Sequence, residues 1–160
     1  MTLEAFKKVL DAIAPVDREA MDRAKKRQAE LAKPPGSLGK LEDMSIRLAG
    51  ITGQVCNQLE NCRILVFAAD NGVIAEGVSS SPESVTLSQA VNMTRHITGM
   101  SALAKYFGNS VVVADVGINA EVRCPAVLDR KIRRSTRNLA KEPALTRQEV
   151  LDAMEVGLDL

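Results

Sequence analysis

The sequence predicts an α/β protein in which a parallel sheet follows a smaller helical segment. Two short, continuous apolar runs, CRILVFAAD at 62–70 and SVVVADVGI at 110–118, are typical of strands covered on both faces. A helical pattern fills the interval between them, as in a β-α-β crossover. Before the first run, about the first third of the chain carries apolar residues at helical spacing. These three observations together favour the α/β class.

Residues 1–55 are predicted to form a small helical domain. Apolar residues recur every three or four positions, which predicts three amphipathic helices at 3–14, 17–32 and 38–51. Pro15 and the KPPGSLG segment separate these helices. A helical prelude of this kind is more often scaffold or dimer contact than chemistry, so we assign the site to the α/β domain at 56–160.

Helix-starting signals divide the rest of the chain. Ser81 is a predicted N-cap with Pro82 at the first helical position, so a helix is expected from 82 to 97, followed by SALAKYF. Thr146 and Glu149 form a predicted capping box that starts a last helix.

One β-α-β unit supplies only two strands, which is too few for a stable domain. We therefore expect the sheet to be incomplete within these 160 residues.

Composition argues against several classes of function. The net charge is +1, and the aromatic residues are three Phe, one Tyr and no Trp, so neither nucleic acid nor an anionic membrane is an expected partner. No stretch is apolar enough for a membrane span, and the first residues lack the pattern of a signal peptide. Three cysteines without a C-x-x-C pair indicate reduced thiols and a cytoplasmic location. His96 is the single histidine, so no metal site is expected.

A basic run extends from Arg123 to Lys141. No aromatic residue interleaves it, which disfavours a nucleic-acid interpretation. The run is predicted to be either a solvated positive face or a contact with one phosphate-bearing substrate. P-loop and G-x-G-x-x-G patterns are both absent from the sequence, so ordinary nucleotide binding is not indicated.

Both predicted strands end in an aspartate followed by a glycine two positions later. The first ends in Asp70-Asn71-Gly72 and the second in Asp115-Val116-Gly117. Ligands of open parallel sheets bind beyond the carboxyl ends of the strands, so these residues are candidates for shaping a site. The alternative is that they only cap strands and start turns, where Asp and Gly are common.

The helix after Ser81 has a mixed polar face. Val85, Gln89, Asn92 and His96 fall on one side, while Leu87, Ala90, Val91 and Thr94 form the expected core face. Ser81 and Gln89 are candidates to present uncharged donors and acceptors, which suit a planar, neutral heterocycle. His96 is predicted to be a surface or capped histidine rather than a catalytic base.

Four blocks in order, KPPGSLGKLE, FAADNGVIAEGVSSSPESVT, QAVNMTRHITG and VVVADVGINAEV, resemble the nicotinate-nucleotide:dimethylbenzimidazole phosphoribosyltransferase family. The resemblance implies a parallel Rossmann-like sheet, a small helical domain and a homodimer. It implies displacement of nicotinate from nicotinate mononucleotide by a benzimidazole nitrogen, with α-ribazole phosphate formed for cobalamin, and no metal or organic cofactor. Ser81 and Gln89 match positions that line the benzimidazole pocket. The strand-end aspartates match positions that shape the site.

The chain departs from the family pattern in two places. Asn71 stands where the family usually has His, and Ser135 stands where Gly is common. The family's Gly-rich mononucleotide motif and its general-base glutamate are expected in a C-terminal half beyond residue 160, so no catalytic residue is expected in this chain. The alternative hypothesis is a non-catalytic binding or interaction module derived from that enzyme.

Overall fold

The computed structural model describes residues 1–60 and 62–160, which divide into two compact units. One unit comprises residues 8–60, and the other combines residues 1–7 with 62–160. Helix α1, Leu3–Asp11, spans this boundary in the sequence. In the described part of the chain, we find no helix with both the length and the apolar character needed to cross a membrane.

The unit at 8–60 is built on two helices that pack through small side chains. Helix α2 is Arg18–Glu30 and helix α3 is Lys40–Thr52. Ala20 and Ala49 are fully buried between them. A Cβ atom added to Gly50 would lie 2.6 Å from Met21 Cγ, so glycine is needed for this close approach. The predicted second and third helices are therefore confirmed, with ends shifted by one or two residues.

The apolar stripe predicted on α3 is not covered within its own unit. Leu41, Met44 and Ile51 are 63%, 65% and 70% exposed. With Leu48, Val55 and Leu59 they line an open groove of about 880 Å³. Because α2 contacts α3 through alanine and glycine, the larger apolar side chains of α3 are left facing outward. We refer to this surface as the α3 groove.

The sheet of the larger unit has three parallel strands in the order β1-β2-β3. Strand β1 is Arg63–Ala69, β2 is Ser110–Gly117 and β3 is Val127–Asp129. In register, Phe67 lies beside Ala114, which lies beside Leu128. The α/β class and the parallel sheet are thus confirmed. The expectation of only two strands was wrong, because a three-residue strand is too short to show an alternating or continuous apolar pattern.

Helices α4, Ser84–Thr94, and α5, Gly99–Tyr106, form the crossover between β1 and β2. Ala90 of α4 packs with Val113, Ile118 and Val127 in the buried core, and Leu87 contacts that cluster. The predicted core face of α4 is therefore confirmed at Leu87 and Ala90. Val91 and Thr94 are only half-buried.

The crossover helix is shorter at both ends than the sequence predicts. It begins at Ser84, so Ser81 is not its N-cap, and it ends at Thr94 instead of residue 97. His96 adopts a left-handed conformation with φ of 59°, which stops the helix. Thr98 and Ser101 then form a capping box that starts α5 in a new direction.

Helix α6, Arg147–Asp159, begins at the capping box that the sequence predicts. The Glu149 backbone N–H donates to Thr146 Oγ1 over 3.2 Å, and the Thr146 N–H donates to Glu149 Oε2 over 2.6 Å. Two backbone donors that the first helical turn leaves free are satisfied in this way. The start of α6 is therefore fixed by local sequence.

Candidate substrate-binding site

The ends of β1 and β2 are joined by the segment 133–138, which crosses both of them. The Asp70 N–H donates to the Gly117 carbonyl over 3.1 Å, and the Ser135 N–H donates to the same carbonyl over 2.9 Å. The Thr136 N–H donates to the Asp70 carbonyl over 3.1 Å. The carboxyl edge of the sheet, where ligands of such folds bind, is thus a rigid backbone platform.

Gly72 permits the closest of these contacts. A Cβ atom at this position would lie 2.5 Å from the Thr136 carbonyl oxygen and 2.8 Å from the Arg137 carbonyl carbon, both of them backbone atoms. The Gly72 N–H also donates to Thr136 Oγ1 over 3.1 Å. Gly117 has a milder restriction, because its added Cβ would lie 3.0 Å from Ala69 Cβ. Both glycines therefore allow backbone approaches that a side chain would obstruct.

Asp115 is only 1% exposed, and its carboxylate holds the backbone at the end of β2 in place. Its Oδ1 accepts the N–H groups of Gly117 and Ile118 at 3.0 and 2.8 Å. Its Oδ2 pairs with Lys131 Nζ at 2.6 Å. Both carboxylate oxygens are thereby occupied, which makes Asp115 a structural part of the strand end.

Asp70 differs from Asp115 because it borders open space. It is 5% exposed, and its Oδ2 accepts the Asn119 N–H over 2.7 Å. It lines a cavity of about 350 Å³ between the end of β1, a 3₁₀ turn at Gly72–Glu76, and the start of α4. Cavities of this size accommodate a small organic ring. We call this space the main cavity.

Ser81 and Asn71 line the main cavity, together with Pro82, Glu83 and Val85. Gln89 is exposed on α4 and is not among the lining residues. It lies four positions after Val85, so the two share a face of α4. The structure thus brings Ser81 together with Asp70 and Asn71, whereas it places Gln89 at the periphery.

Glu83 is a site residue that sequence reasoning missed. Its Oε2 accepts Asn119 Nδ2–H over 2.9 Å. Both Glu83 and Asp70 also line a second cavity of about 230 Å³, on the side of Ile118 and Asn119. The only available signal was an acid directly after Ser81-Pro82, which looks like an ordinary favourable charge at a helix start. Its contact with Asn119 joins residues 36 positions apart, which periodicity does not reveal.

His96 lies away from the main cavity, at the end of α4. Its Nδ1–H donates to the Ser101 carbonyl over 3.2 Å, within the turn between α4 and α5. Across residues 1–60 and 62–160, no three His, Cys, Asp or Glu side chains come together as a metal site would require.

Three residues of the basic run form ion pairs with acidic side chains of the protein itself. Arg137 forms two contacts with Glu149 at 2.8 and 3.3 Å, Arg133 approaches the same carboxylate at 3.5 Å, and Lys141 lies 3.3 Å from Glu76. Arg137 and the Thr146 N–H lower the pKa of Glu149 to about 2. Arg133 and Arg137 are thus largely buried beside Glu149 and do not form a solvated face, whereas the Lys141 side chain is 70% exposed and fits that expectation.

Ser135 occupies a conformation that suits glycine. Its φ is 52°, in the left-handed region, and it is 8% exposed. Its buried Oγ has no hydrogen-bond partner among the described residues. A non-glycine residue in this region is strained, and a buried hydroxyl without a partner adds a desolvation cost. The sequence departure at this position therefore has a structural consequence.

We expect Ser135→Gly to stabilise the protein. Relief of backbone strain and removal of the unpaired hydroxyl outweigh the greater freedom of glycine in the unfolded chain, for a net gain of about 1 kcal/mol. Thermal unfolding followed by circular dichroism should show a melting temperature higher by roughly 2–4 °C. Ser135→Ala is the control, since it removes the hydroxyl and keeps the strained Cβ. Equal melting temperatures for the two variants would contradict the contribution of strain.

Comparisons with known proteins agree with this geometry. A family model described as "Phosphoribosyltransferase" matches residues 13–160. The nicotinate-nucleotide-dimethylbenzimidazole phosphoribosyltransferase of Ruminiclostridium cellulolyticum is 43% identical over 97% of this chain and 44% of its own length. The protein of the same name from Clostridium perfringens strain 13 is 44% identical over 94% of this chain and 42% of its own.

A solved structure gives the same result for the fold. The enzyme of that name from Thermus thermophilus superposes with a TM-score of 0.78 and 39% identity, covering 88% of this chain and 43% of that one. The chain thus spans less than half the length of the relatives that it matches. Because the family model covers nearly all of the chain, the chain belongs to the phosphoribosyltransferase family whose similar members carry the name nicotinate-nucleotide-dimethylbenzimidazole phosphoribosyltransferase.

Proposed function

We propose that the protein containing this chain transfers the phosphoribosyl group of nicotinate mononucleotide to 5,6-dimethylbenzimidazole. The products are nicotinate and α-ribazole phosphate, a precursor of the cobalamin lower ligand. The names of the relatives support this reaction. This chain supplies the benzimidazole side of the site, and the observation that carries the assignment is the main cavity at the carboxyl edge of the sheet, with Ser81 in its lining.

The lining of the main cavity suits a flat ring. Val73, Ile74 and Val85 supply apolar surface, and Ser81 supplies a hydroxyl that has no hydrogen-bond partner of its own within the described residues. Gln89, one turn after the lining residue Val85 on the same face of α4, offers a carboxamide. Such a mixture of apolar walls and few polar groups binds a ring and fixes its orientation. We propose that Ser81 and Gln89 direct one benzimidazole nitrogen towards C1′ of the ribosyl group.

We also propose a cytoplasmic homodimer. All three cysteines are free thiols, which favours a reducing compartment. The α3 groove exposes several large apolar side chains of the helical unit, and a second copy of the chain would remove them from water.

The test of the benzimidazole assignment is a pair of alanine variants in a full-length version of the protein. Ser81→Ala and Gln89→Ala are each expected to raise the KM for 5,6-dimethylbenzimidazole by up to roughly tenfold, because one neutral hydrogen bond contributes about 0.5–1.5 kcal/mol. The KM for nicotinate mononucleotide should change less. Ser88→Ala is the matched control, since Ser88 is exposed on α4 and does not line the main cavity. Equal effects on both substrates would exclude the assignment.

A further inference from the structure

The main cavity contains two carboxylates that are held by a single residue. The backbone N–H of Asn119 donates to Asp70 Oδ2 at 2.7 Å, and its side-chain Nδ2–H donates to Glu83 Oε2 at 2.9 Å. Asn119 therefore links the two acids through one hydrogen bond to each. Asp70 comes from the end of β1 and Glu83 from the start of α4, so the acids lie where two separate elements meet.

Each acid retains one oxygen for a ligand. Within the described residues, neither Asp70 Oδ1 nor Glu83 Oε1 accepts a hydrogen bond, and no Lys or Arg forms an ion pair with either side chain. Asp70 is only 5% exposed, so its remaining contact with the outside runs through the cavities that it lines. Free acceptors at a largely buried carboxylate favour a ligand that brings a donor.

The same two acids set the charge of the cavity. No Lys or Arg is among the residues that line the main cavity, and two nearby cations are paired elsewhere, Lys131 with Asp115 and Arg137 with Glu149. A third negative charge brought into this space would meet two like charges in a partly desolvated setting, which is unfavourable. A ring with an N–H group would instead donate to a carboxylate and relieve the repulsion between the acids.

We propose that Asp70 and Glu83 make the main cavity selective for charge, so that it admits uncharged or cationic rings with an N–H donor and rejects rings with a carboxylate. This selectivity rests on the proposed function, because it assumes that the aglycone binds in this cavity. It also gives the site a way to discriminate between its two aromatic compounds. The incoming benzimidazole carries an N–H group, whereas the departing nicotinate carries a carboxylate.

The experiment is a calorimetric titration of the chain with three probes: benzimidazole, 1-methylbenzimidazole and benzimidazole-5-carboxylate. Benzimidazole is expected to bind at least about tenfold more tightly than either of the others, since one probe lacks the N–H donor and the other adds a like charge. Glu83→Gln keeps the shape of the side chain and an oxygen for Asn119 while removing the charge. This variant should bind benzimidazole more weakly and benzimidazole-5-carboxylate more tightly. The ratio of the two affinities should therefore fall to roughly threefold or less.

Glu121→Gln is the matched control for a general loss of negative charge. Glu121 is an exposed acid two residues from Asn119, pairs with Arg123 at 2.8 Å and lines neither cavity. This variant should leave the ratio unchanged. An unchanged ratio in Glu83→Gln, with benzimidazole still bound, would overturn the charge selectivity alone. Absence of benzimidazole binding to the folded wild-type chain would instead overturn the proposal that this chain supplies the benzimidazole side of the site, so the two failures are distinguishable.

Discussion

The 160-residue chain is expected to form no α-ribazole phosphate by itself from nicotinate mononucleotide and 5,6-dimethylbenzimidazole. Transfer at C1′ requires a base for the proton of the attacking ring and groups that hold the ribosyl phosphate in line. Of the acids at the sheet edge, Asp115 is occupied by Lys131 and two backbone donors. Asp70 and Glu83 each keep a free oxygen, but we propose that they hold the ring N–H, and the family resemblance places the general-base glutamate beyond residue 160. Arg137 is bound to Glu149, and the family's Gly-rich mononucleotide motif is expected beyond residue 160, so we expect this chain to lack the full set of groups that hold the phosphate.

The expected loss of turnover is large. General-base assistance contributes typically about 10²- to 10⁴-fold, and positioning of the two substrates contributes more, so turnover without both should lie below detection. We expect activity when the C-terminal part of a relative, such as the Ruminiclostridium cellulolyticum protein, is fused to the chain or supplied in trans. Strand β1 offers a surface for such a part, because Leu65 and Phe67 are 37% and 45% exposed and β1 pairs on one side only in the described structure.

Product chromatography decides the outcome, with the C-terminal part alone as the negative control and the full-length relative as the positive control. Product from the isolated chain that disappears on Asp70→Asn or Glu83→Gln would show that the chemistry lies in this part of the protein. Binding of benzimidazole with no activity in any combination would favour the alternative of a non-catalytic binding module.

Asp115→Ala is expected to unfold the larger unit or to destabilise it by about 3–5 kcal/mol, because the variant leaves Lys131 without its buried partner. It also removes the acceptor of the Gly117 and Ile118 N–H groups, which fix the turn after β2. A loss of this size is comparable with the whole stability of many domains. Urea denaturation followed by circular dichroism in the far ultraviolet measures it.

Asp129→Ala is the matched control, since Asp129 also lies at a strand end but is exposed and accepts only the Lys131 N–H at 3.2 Å. Its expected effect is below about 1 kcal/mol. A double variant, Asp115→Asn with Lys131→Met, should recover part of the loss because it removes both the buried carboxylate and its partly buried partner charge. Equal urea midpoints for Asp115→Ala and Asp129→Ala would contradict the structural role of this ion pair.

Local sequence determined the strands and the helix start that depend on residues a few positions apart. The apolar runs at 62–70 and 110–118 predicted β1 and β2, and the pair Thr146 and Glu149 predicted the start of α6. The sequence also singled out the glycines of the strand ends, and in the structure Gly72 allows a close backbone approach. Each of these features depends on residues a few positions apart, where periodicity and capping act. The family was likewise identified by four blocks of contiguous residues.

The tertiary structure alone decided which side chains meet. Asn119 contacts Glu83, which is 36 positions away in the sequence, and Asp70, which is 49 positions away. Lys131 follows β3 in the chain and pairs with Asp115 in β2. The same holds for Arg133 and Arg137 of the basic run, which looked solvated in sequence and lie beside Glu149. Charge pairing depends on distances in space of a few ångströms, and a sheet brings together residues that the sequence separates by whole elements. Periodicity along the chain carries no information about those distances.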